Sequence, residues 1–171
     1  TAFVTLPRRR LVDPRPSDEH VMIRNMVAEF ADTAIAPRAA AIDRDHEFPS
    51  DLVAQMSELG LMGMNFPQEK GGAGTDMVSY CIAIEELSRG CASTGVIASV
   101  NNSLSGWPLY TYGNDDQHER YLTDMLQGKR IGAYGLTEPN AGSDVVSMQT
   151  AAKKEGDNYV LNGQKLFITN A

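Results

Sequence analysis

The first long stretch of the chain has the pattern of an amphipathic helix. Apolar side chains recur three or four residues apart after Ser17, a residue type that caps helix N-termini, and acidic side chains follow it directly. We therefore expect a helix that begins at Ser17 and that Pro37 ends or kinks. Its predicted buried stripe consists of Met22, Met26, Val27, Phe30 and Ala34.

The same periodicity predicts three further helices. Residues 75–87 are apolar nearly all round, which is typical of a helix at the centre of a bundle. Asn114 and Gln117 have the spacing of a capping box, and Gly128 marks the end of the helix that they begin. The stripe of that helix is Tyr121, Leu122, Met125 and Leu126, and a shorter helix carries Leu52, Val53, Met56 and Leu59 up to Gly60.

After Ile131 the pattern becomes that of strands. We predict strands over residues 133–137, 148–153 and 159–167. The last two are joined by the Gly-Asp hairpin turn of residues 155–158. Because three strands leave open edges, we expect the chain to stop within an unfinished sheet.

These elements predict an α+β fold class and three regions. An all-helical bundle domain spans residues 17–130, and the beginning of an antiparallel β domain spans residues 131–171. Residues 1–16, which contain the basic run of Arg8, Arg9 and Arg10, are predicted to be a disordered lead-in. A remnant of an arginine-rich transit peptide is the alternative for that run.

Composition narrows the function classes. The 171 residues carry 15 basic and 22 acidic side chains, a net charge of −7, which argues against a nucleic-acid groove. No apolar run approaches the roughly 20 residues of a membrane span, so none is expected. The histidines and the two cysteines lie at no metal-ligand spacing, and no metal site is predicted.

Residues 134–144 contain the highest concentration of candidate ligand-binding groups in the chain. An apolar segment runs into a loop with Thr137, an acid and a Gly-Ser-Asp turn, and residues 161–171 then supply an aromatic ring and Thr169. Hydroxyls, backbone N–H groups and an aromatic side chain suit a flat heteroaromatic ring joined to a phosphate. Taken singly, Thr137 and Thr169 could equally be β-branched strand residues, the Gly-Ser-Asp segment a plain turn and Phe167 a core residue.

The combination resembles the acyl-CoA dehydrogenase family. The Thr-Glu-Pro-Asn-Ala-Gly-Ser-Asp loop is similar to its first signature, and Phe-Ile-Thr-Asn to its later flavin-holding strand. Residues 85–104 resemble its short-chain, butyryl-CoA branch, and residues 66–74 match its early glycine-rich loop. Counted with the two flavin-holding stretches as one, these are three ordered motifs, which are more specific together than any one alone. A phosphate-loop reading of residues 71–74 lacks the Gly-Lys-Ser/Thr that it requires, so a tight loop shaping the substrate entrance is favoured.

The resemblance implies FAD as cofactor and assigns its contacts. Ser143 is the residue that it implies for the pyrophosphate and for the CoA moiety of the substrate, and Thr169 the hydroxyl near flavin N5. Phe167 stands where the family commonly has Trp, so an indole N–H is missing. The implied cofactor-binding residues are Tyr134, Gly135, Leu136, Thr137, Gly142, Ser143, Phe167, Ile168 and Thr169.

The implied reaction is the α,β-dehydrogenation of a short-chain acyl-CoA in fatty acid β-oxidation. A carboxylate base removes the α-proton; the resemblance implies that this base lies beyond Ala171, so no catalytic residue is assigned within the chain. Glu138 is the tempting substitute, but the family places that acid beside the cofactor. Residues 98–104 match the region that closes the acyl tunnel, which predicts a preference for about four carbons; helix packing explains them equally well.

The resemblance also implies partners and a compartment. We expect electron-transferring flavoprotein as electron acceptor, a homotetramer for the full-length protein, and a location in the mitochondrial matrix of a eukaryote or otherwise in the cytoplasm.

For the function itself, an acyl-CoA oxidase or flavin monooxygenase of the same fold is one alternative. A truncated, non-catalytic binding or assembly module is the other.

Overall fold

A computed structural model describes residues 15–171 of the chain. The lead-in predicted for residues 1–16 therefore lies almost wholly outside the described residues. The described part is mainly helical, with one small antiparallel sheet, and the α+β prediction is confirmed.

Within residues 15–171, eight α-helices precede the sheet, and π-helical turns connect several successive helices. The α-helices are α1 (Asp18–Phe30), α2 (Ala36–Asp45), α3 (Ser50–Glu58), α4 (Met77–Gly90), α5 (Ala92–Ser99), α6 (Trp107–Tyr112), α7 (Asp115–Gln117) and α8 (Thr123–Leu126). The π-helical segments are Ala31–Ile35, Val100–Gly106 and His118–Leu122, and 3₁₀ turns span Gln68–Lys70 and Val145–Ser147.

Ser17 begins α1, as predicted. Its side chain accepts from the His20 backbone N–H, and the His20 ring accepts from the Ser17 N–H, which completes a capping box. The other nitrogen of that ring lies 3.0 Å from Asp76, the residue that caps α4. One histidine therefore ties the beginnings of two packed helices together.

The predicted stripe of α1 is partly wrong. The buried side chains are Ile23, Val27 and Phe30, whereas Met22 and Met26 are exposed. Both faces carry apolar residues, and packing against α4 decides which face is covered. Pro37 does not end the helix, because a π-helical turn precedes it and the chain continues as α2, with Pro37 in the first turn, where its missing N–H costs least.

The main core lies where α1, α3, α4 and α5 meet. The short helix predicted before Gly60 is confirmed as α3, and Gly60 has the positive φ of +73° that ends it. Helix α4 packs against α1 and α5, but it is not covered all round, since Met77 and Val78 are exposed. The buried residues of this core include Val27, Ile35, Leu52, Met56, Leu61, Met62, Ala83 and Leu87.

A second, smaller core forms around Phe66. The predicted capping box of Asn114 and Gln117 is present, and Gly128 ends this helical stretch with φ +69°. Of the stripe predicted there, Leu122, Met125 and Leu126 are buried and Tyr121 is exposed.

The sheet is smaller than predicted. It has two strands, β1 (Ala151–Glu155) and β2 (Asn158–Asn162), paired antiparallel from Ala151 opposite Asn162 to Glu155 opposite Asn158. The hairpin turn is confirmed, but within residues 15–171 no strand forms at 133–137, and β2 ends well before residue 167. At residues 133–137 the described part of the chain supplies one backbone hydrogen bond to a neighbour, from the Leu166 N–H to the Thr137 carbonyl, and one bond does not make a strand ladder.

Candidate functional site

The structure brings the two predicted binding segments side by side. The Leu166 N–H donates to the Thr137 carbonyl at 2.8 Å, although neither residue belongs to a strand. The Lys165 ammonium donates to the preceding carbonyl, that of Leu136, at 3.0 Å. Residues 134–137 and 167–169, which are 30 or more positions apart in sequence, therefore lie on neighbouring stretches of backbone.

Glu138 is a buried hydrogen-bond acceptor for residues of this arrangement. It is 7% exposed, and its carboxylate accepts from the Gln149 N–H at 2.7 Å, the Thr150 N–H at 3.0 Å and Lys165 Nζ at 2.8 Å. The Gln149 N–H and then the Lys165 ammonium hold the pKa of Glu138 at about 2, below its usual 4.5. A carboxylate with this many internal donors is a structural acceptor, because each donor stabilises its ionised form and leaves it a weak base.

The Gly-Ser-Asp turn follows a short bridge. Glu138 and Ala141 exchange backbone hydrogen bonds of 2.9 and 3.1 Å, which turns the chain sharply at Pro139 and Asn140. Gly142 faces open space, with no atom within 4 Å of where a Cβ would stand. Ser143 is exposed on the same turn. A ligand could therefore approach this backbone closely.

Several predicted contact groups are unused by the chain itself. Within residues 15–171, no hydrogen bond engages the side-chain hydroxyls of Tyr134, Thr137, Ser143 or Thr169, although the Thr137 carbonyl is bonded. The Phe167 ring is 89% exposed and its backbone has φ +57°, a left-handed conformation that is unusual for a bulky residue. Such exposed rings and strained backbones concentrate at ligand sites. The donors and the ring surface thus suit a flat heteroaromatic ligand.

Asn170 fastens this region to the helical core. Its Nδ2 donates to the carbonyls of Ile97 in α5 (3.3 Å) and Gly132 (3.1 Å), while its Oδ1 is buried without a partner in the described part of the chain. The Gly132 N–H donates in turn to Asn101 Oδ1 at 2.8 Å. Sequence reasoning assigned no role to Asn101 or Asn170, since their partners lie 24 or more residues away.

Two clefts flank the site. The larger, of about 520 Å³, lies between the α2–α3 connection and the start of α5, and Phe48, Val96, Ile97, Thr169 and Asn170 are among its walls. The smaller, of about 320 Å³, is bordered by Glu138, Thr150 and Gly163. Thr169 is the predicted contact residue that reaches the larger cleft, whereas the Tyr134 and Phe167 side chains lie on open surface.

Sequence profiles of one family cover nearly all of the described residues. The profile of the acyl-CoA dehydrogenase N-terminal domain matches residues 17–129, and that of the acyl-CoA dehydrogenase middle domain matches residues 133–171. The chain belongs to the acyl-CoA dehydrogenase family. The resemblance seen in the motifs is thereby confirmed.

Curated relatives of the chain include short-chain specific acyl-CoA dehydrogenases. It is 49% identical over 152 residues to the short-chain specific acyl-CoA dehydrogenase of Clostridium acetobutylicum, covering 89% of this chain and 40% of the relative. The mitochondrial short-chain specific acyl-CoA dehydrogenase of Rattus norvegicus is 47% identical over 154 residues, 90% of this chain and 37% of the relative. The chain therefore spans well under half the length of these relatives.

Solved structures agree in fold. A structure described as the electron transferring flavoprotein of Acidaminococcus fermentans superposes with a TM-score of 0.87 at 42% identity, covering 92% of this chain and 41% of that one. Butyryl-CoA dehydrogenase of Megasphaera elsdenii gives 0.84 at 34% identity, with 92% and 41% covered. Glutaryl-CoA dehydrogenase of Mycobacterium smegmatis in complex with FADH2 gives 0.84 at 35% identity, with 90% and 39% covered.

The described residues contain no candidate metal cluster and no helix that could span a membrane. Among residues 15–171, no cluster of three or more His, Cys, Asp or Glu side chains could hold a metal ion. None of the helices in that range combines the length and the apolar character that a membrane span needs.

Proposed function

We propose that this protein is an FAD-dependent acyl-CoA dehydrogenase acting on short-chain acyl thioesters. The observation that carries the proposal is that the Leu166–Thr137 and Lys165–Leu136 hydrogen bonds bring the segments carrying Thr137, Phe167 and Thr169 next to each other, with unused hydroxyls and an exposed aromatic ring. The relatives named above support the substrate class, and the FADH2 complex of the M. smegmatis enzyme supports the cofactor.

In this proposal five of the predicted residues have a specific role toward FAD or the CoA moiety. The Thr137 and Thr169 hydroxyls donate to ring heteroatoms, Leu136 and Phe167 cover apolar ring surface, and Ser143 donates to the pyrophosphate and to the CoA moiety. Bound FAD would supply the hydride acceptor for the β-hydrogen of the substrate. The full proposed set is Tyr134, Gly135, Leu136, Thr137, Gly142, Ser143, Phe167, Ile168 and Thr169.

The catalytic base is not assigned to a described residue. Glu138 is unsuited, because its carboxylate already accepts from two backbone N–H groups and from Lys165. Hydrogen bonds to the ionised form lower the pKa and weaken the group as a proton acceptor. The contribution that we propose for this part of the protein is placement of the cofactor and of the CoA group.

The proposal extends to organisation and partners. We assign residues 17–130 to a helical domain and residues 131–171 to the beginning of the flavin-binding β domain. Electron-transferring flavoprotein is the proposed electron acceptor, which the match to the A. fermentans structure supports. A homotetramer, and a location in the mitochondrial matrix or the bacterial cytoplasm, complete the proposal; the rat relative is named as mitochondrial.

Cofactor identification tests this function. The full-length protein is purified, unfolded, and its released cofactor is identified and counted against protein. We expect FAD at one per subunit, and reduced flavin that persists in air while an electron-transfer acceptor reoxidises it quickly. Rapid reoxidation by oxygen would favour the oxidase or monooxygenase instead. A protein that holds no flavin would point to a binding or assembly module.

A further inference from the structure

The contacts of Glu138 and Lys165 link three stretches of chain within the candidate site. Lys165 Nζ lies 2.8 Å from Glu138 Oε1 and 3.0 Å from the Leu136 carbonyl oxygen. Glu138 in turn holds the Gln149 and Thr150 N–H groups. Three separate stretches of chain, those carrying Leu136, Thr150 and Lys165, therefore meet at one ion pair.

This pair fixes the alignment of the two proposed flavin segments. Consecutive residues make the cross-links: Lys165 bonds to Leu136, and Leu166 bonds to Thr137. A slip of one residue would break both links and the ion pair at once. Within the described part of the chain, no strand pairing forms at residues 133–137. The Lys165–Glu138 ion pair, called the clamp below, therefore takes over the aligning role that a sheet ladder normally has.

A second lysine–glutamate pair gives a matched comparison. Lys153 and Glu155 lie 3.0 Å apart on β1, with side chains 79% and 54% exposed, whereas those of Lys165 and Glu138 are 26% and 6% exposed. Exposed pairs contribute little, because water screens them. Removing one partner of a buried pair leaves the other charge uncompensated, so the cost is much larger.

We infer that Glu138 and Lys165 are positioning residues that set the Leu136–Thr137 edge against Phe167–Thr169 and thereby fix the orientation of bound FAD. The inference rests on the proposed function. Neither side chain needs to touch the cofactor, because both act through the backbone that carries the contact residues.

The test compares three substitutions in the full-length protein. Lys165→Met removes the charge but keeps the stem, Lys165→Arg restores a charged donor, and Lys153→Met removes the exposed counterpart. For each variant, FAD affinity, the reduction potential of the bound flavin at saturating FAD, and amide hydrogen exchange at Gln149, Thr150 and Leu166 are measured. The exchange arm needs no bound cofactor and no turnover.

For Lys165→Met we expect FAD binding weaker by about tenfold or more, the effect of losing a charge-assisted hydrogen bond. A lowered flavin potential and faster exchange at the three amides should accompany it. Lys165→Arg should recover most of the affinity, and Lys153→Met should stay within about twofold of the unsubstituted protein.

Two outcomes would overturn the inference. If Lys165→Met speeds amide exchange at Gln149, Thr150 and Leu166 but leaves FAD affinity and flavin potential unchanged, the pair is structural and does not position the cofactor. If Lys153→Met weakens FAD binding as much as Lys165→Met, the effect is not specific to the clamp. An unsubstituted protein that binds no FAD would instead refute the proposed function, and the role toward the cofactor with it.

Discussion

Asn101 and Asn170 hold the same residue from opposite sides. Asn101 Oδ1 accepts from the Gly132 N–H at 2.8 Å, and Asn170 Nδ2 donates to the Gly132 carbonyl at 3.1 Å. Asn101 also donates to the carbonyls of Met62 and Met125 and is fully buried. Gly132 is thus the point at which the helical core, the start of the β region and residues 167–170 are joined.

Substitution of Asn101 should therefore lower the free energy of unfolding substantially. Asn101→Ala removes the hydrogen bonds to the Met62 carbonyl and the Gly132 N–H and one of the bonds to the Met125 carbonyl, which keeps the Gly128 N–H, so we expect the free energy of unfolding to fall by about 3 kcal/mol. Asn170→Gly keeps access to the backbone φ of +69° and removes the side-chain bonds, which should cost about 1 kcal/mol. Chemical denaturation measures both. Asn162→Ala, at an exposed strand position, is the control, and a loss there equal to that of Asn101→Ala would contradict the assignment.

Glu138 predicts a pH dependence of stability. Because its pKa is lowered from 4.5 to about 2 on folding, its contribution is fully present above pH 4.5 and is lost as the pH falls toward 2. The melting temperature of Glu138→Gln should lie below that of the unsubstituted protein at neutral pH, and the gap should close across this range. Glu155→Gln, on exposed β1, should show no such convergence. A gap that stays constant down to pH 2 would mean that Glu138 is not ionised and clamped as described.

Thr169→Val tests the proposed contact near flavin N5. Loss of one hydrogen bond to the ring should destabilise the reduced flavin by roughly 1 kcal/mol, and more if the ring is anionic, which lowers its reduction potential. Thr33→Val, whose hydroxyl bonds to its own helix at Glu29, is the matched control. If Thr169→Val leaves both the potential and the FAD affinity unchanged, Thr169 is not part of the flavin site.

The preference for short acyl chains is predicted from residues 98–104. Ala98, Asn101 and Asn102 are buried there, and the Asn102 amide is fully engaged by Leu61, Met64 and Ala98. These side chains fill the bundle at the place where the family resemblance puts the end of the acyl tunnel. Specificity ratios across acyl lengths should peak near four carbons, each misfitted methylene costing about 1–3 kcal/mol. A peak at eight carbons or beyond would refute the short-chain assignment.

Local signals in the sequence predicted the parts of the fold that depend only on residues close by in the sequence. Ser17 and Asn114 begin helices because their caps are completed within three residues, and the Gly-Asp turn forms because its dihedral angles are set locally. The exposure of Met22 was not predictable, since both methionine and Ile23 are apolar and only packing selects the buried one. The strand expected at 133–137 needed a ladder of backbone hydrogen bonds, and among the described residues its neighbour supplies a single one, from the Leu166 N–H to the Thr137 carbonyl.

The residues proposed for the candidate site come from motif resemblance, whereas the contacts that hold their backbone in place come from the structure. Motif resemblance identified Thr137, Ser143 and Thr169, and the structure brings the first and third onto adjacent backbone. The clamp of Glu138 and Lys165 was missed because its partners lie 11 to 29 positions apart, and no local pattern distinguishes a buried ion pair from an exposed one.

Anaerobic addition of butyryl-CoA to the purified full-length protein is the most direct test of the function proposed here. If residues 134–143 and 167–169 hold FAD for dehydrogenation of a short-chain acyl thioester, the yellow absorption of the oxidised flavin should bleach, and the α,β-unsaturated thioester should form. Octanoyl-CoA should bleach it far more slowly. A protein that carries no flavin, or whose bound FAD stays oxidised with acyl-CoA of every chain length, would contradict the account.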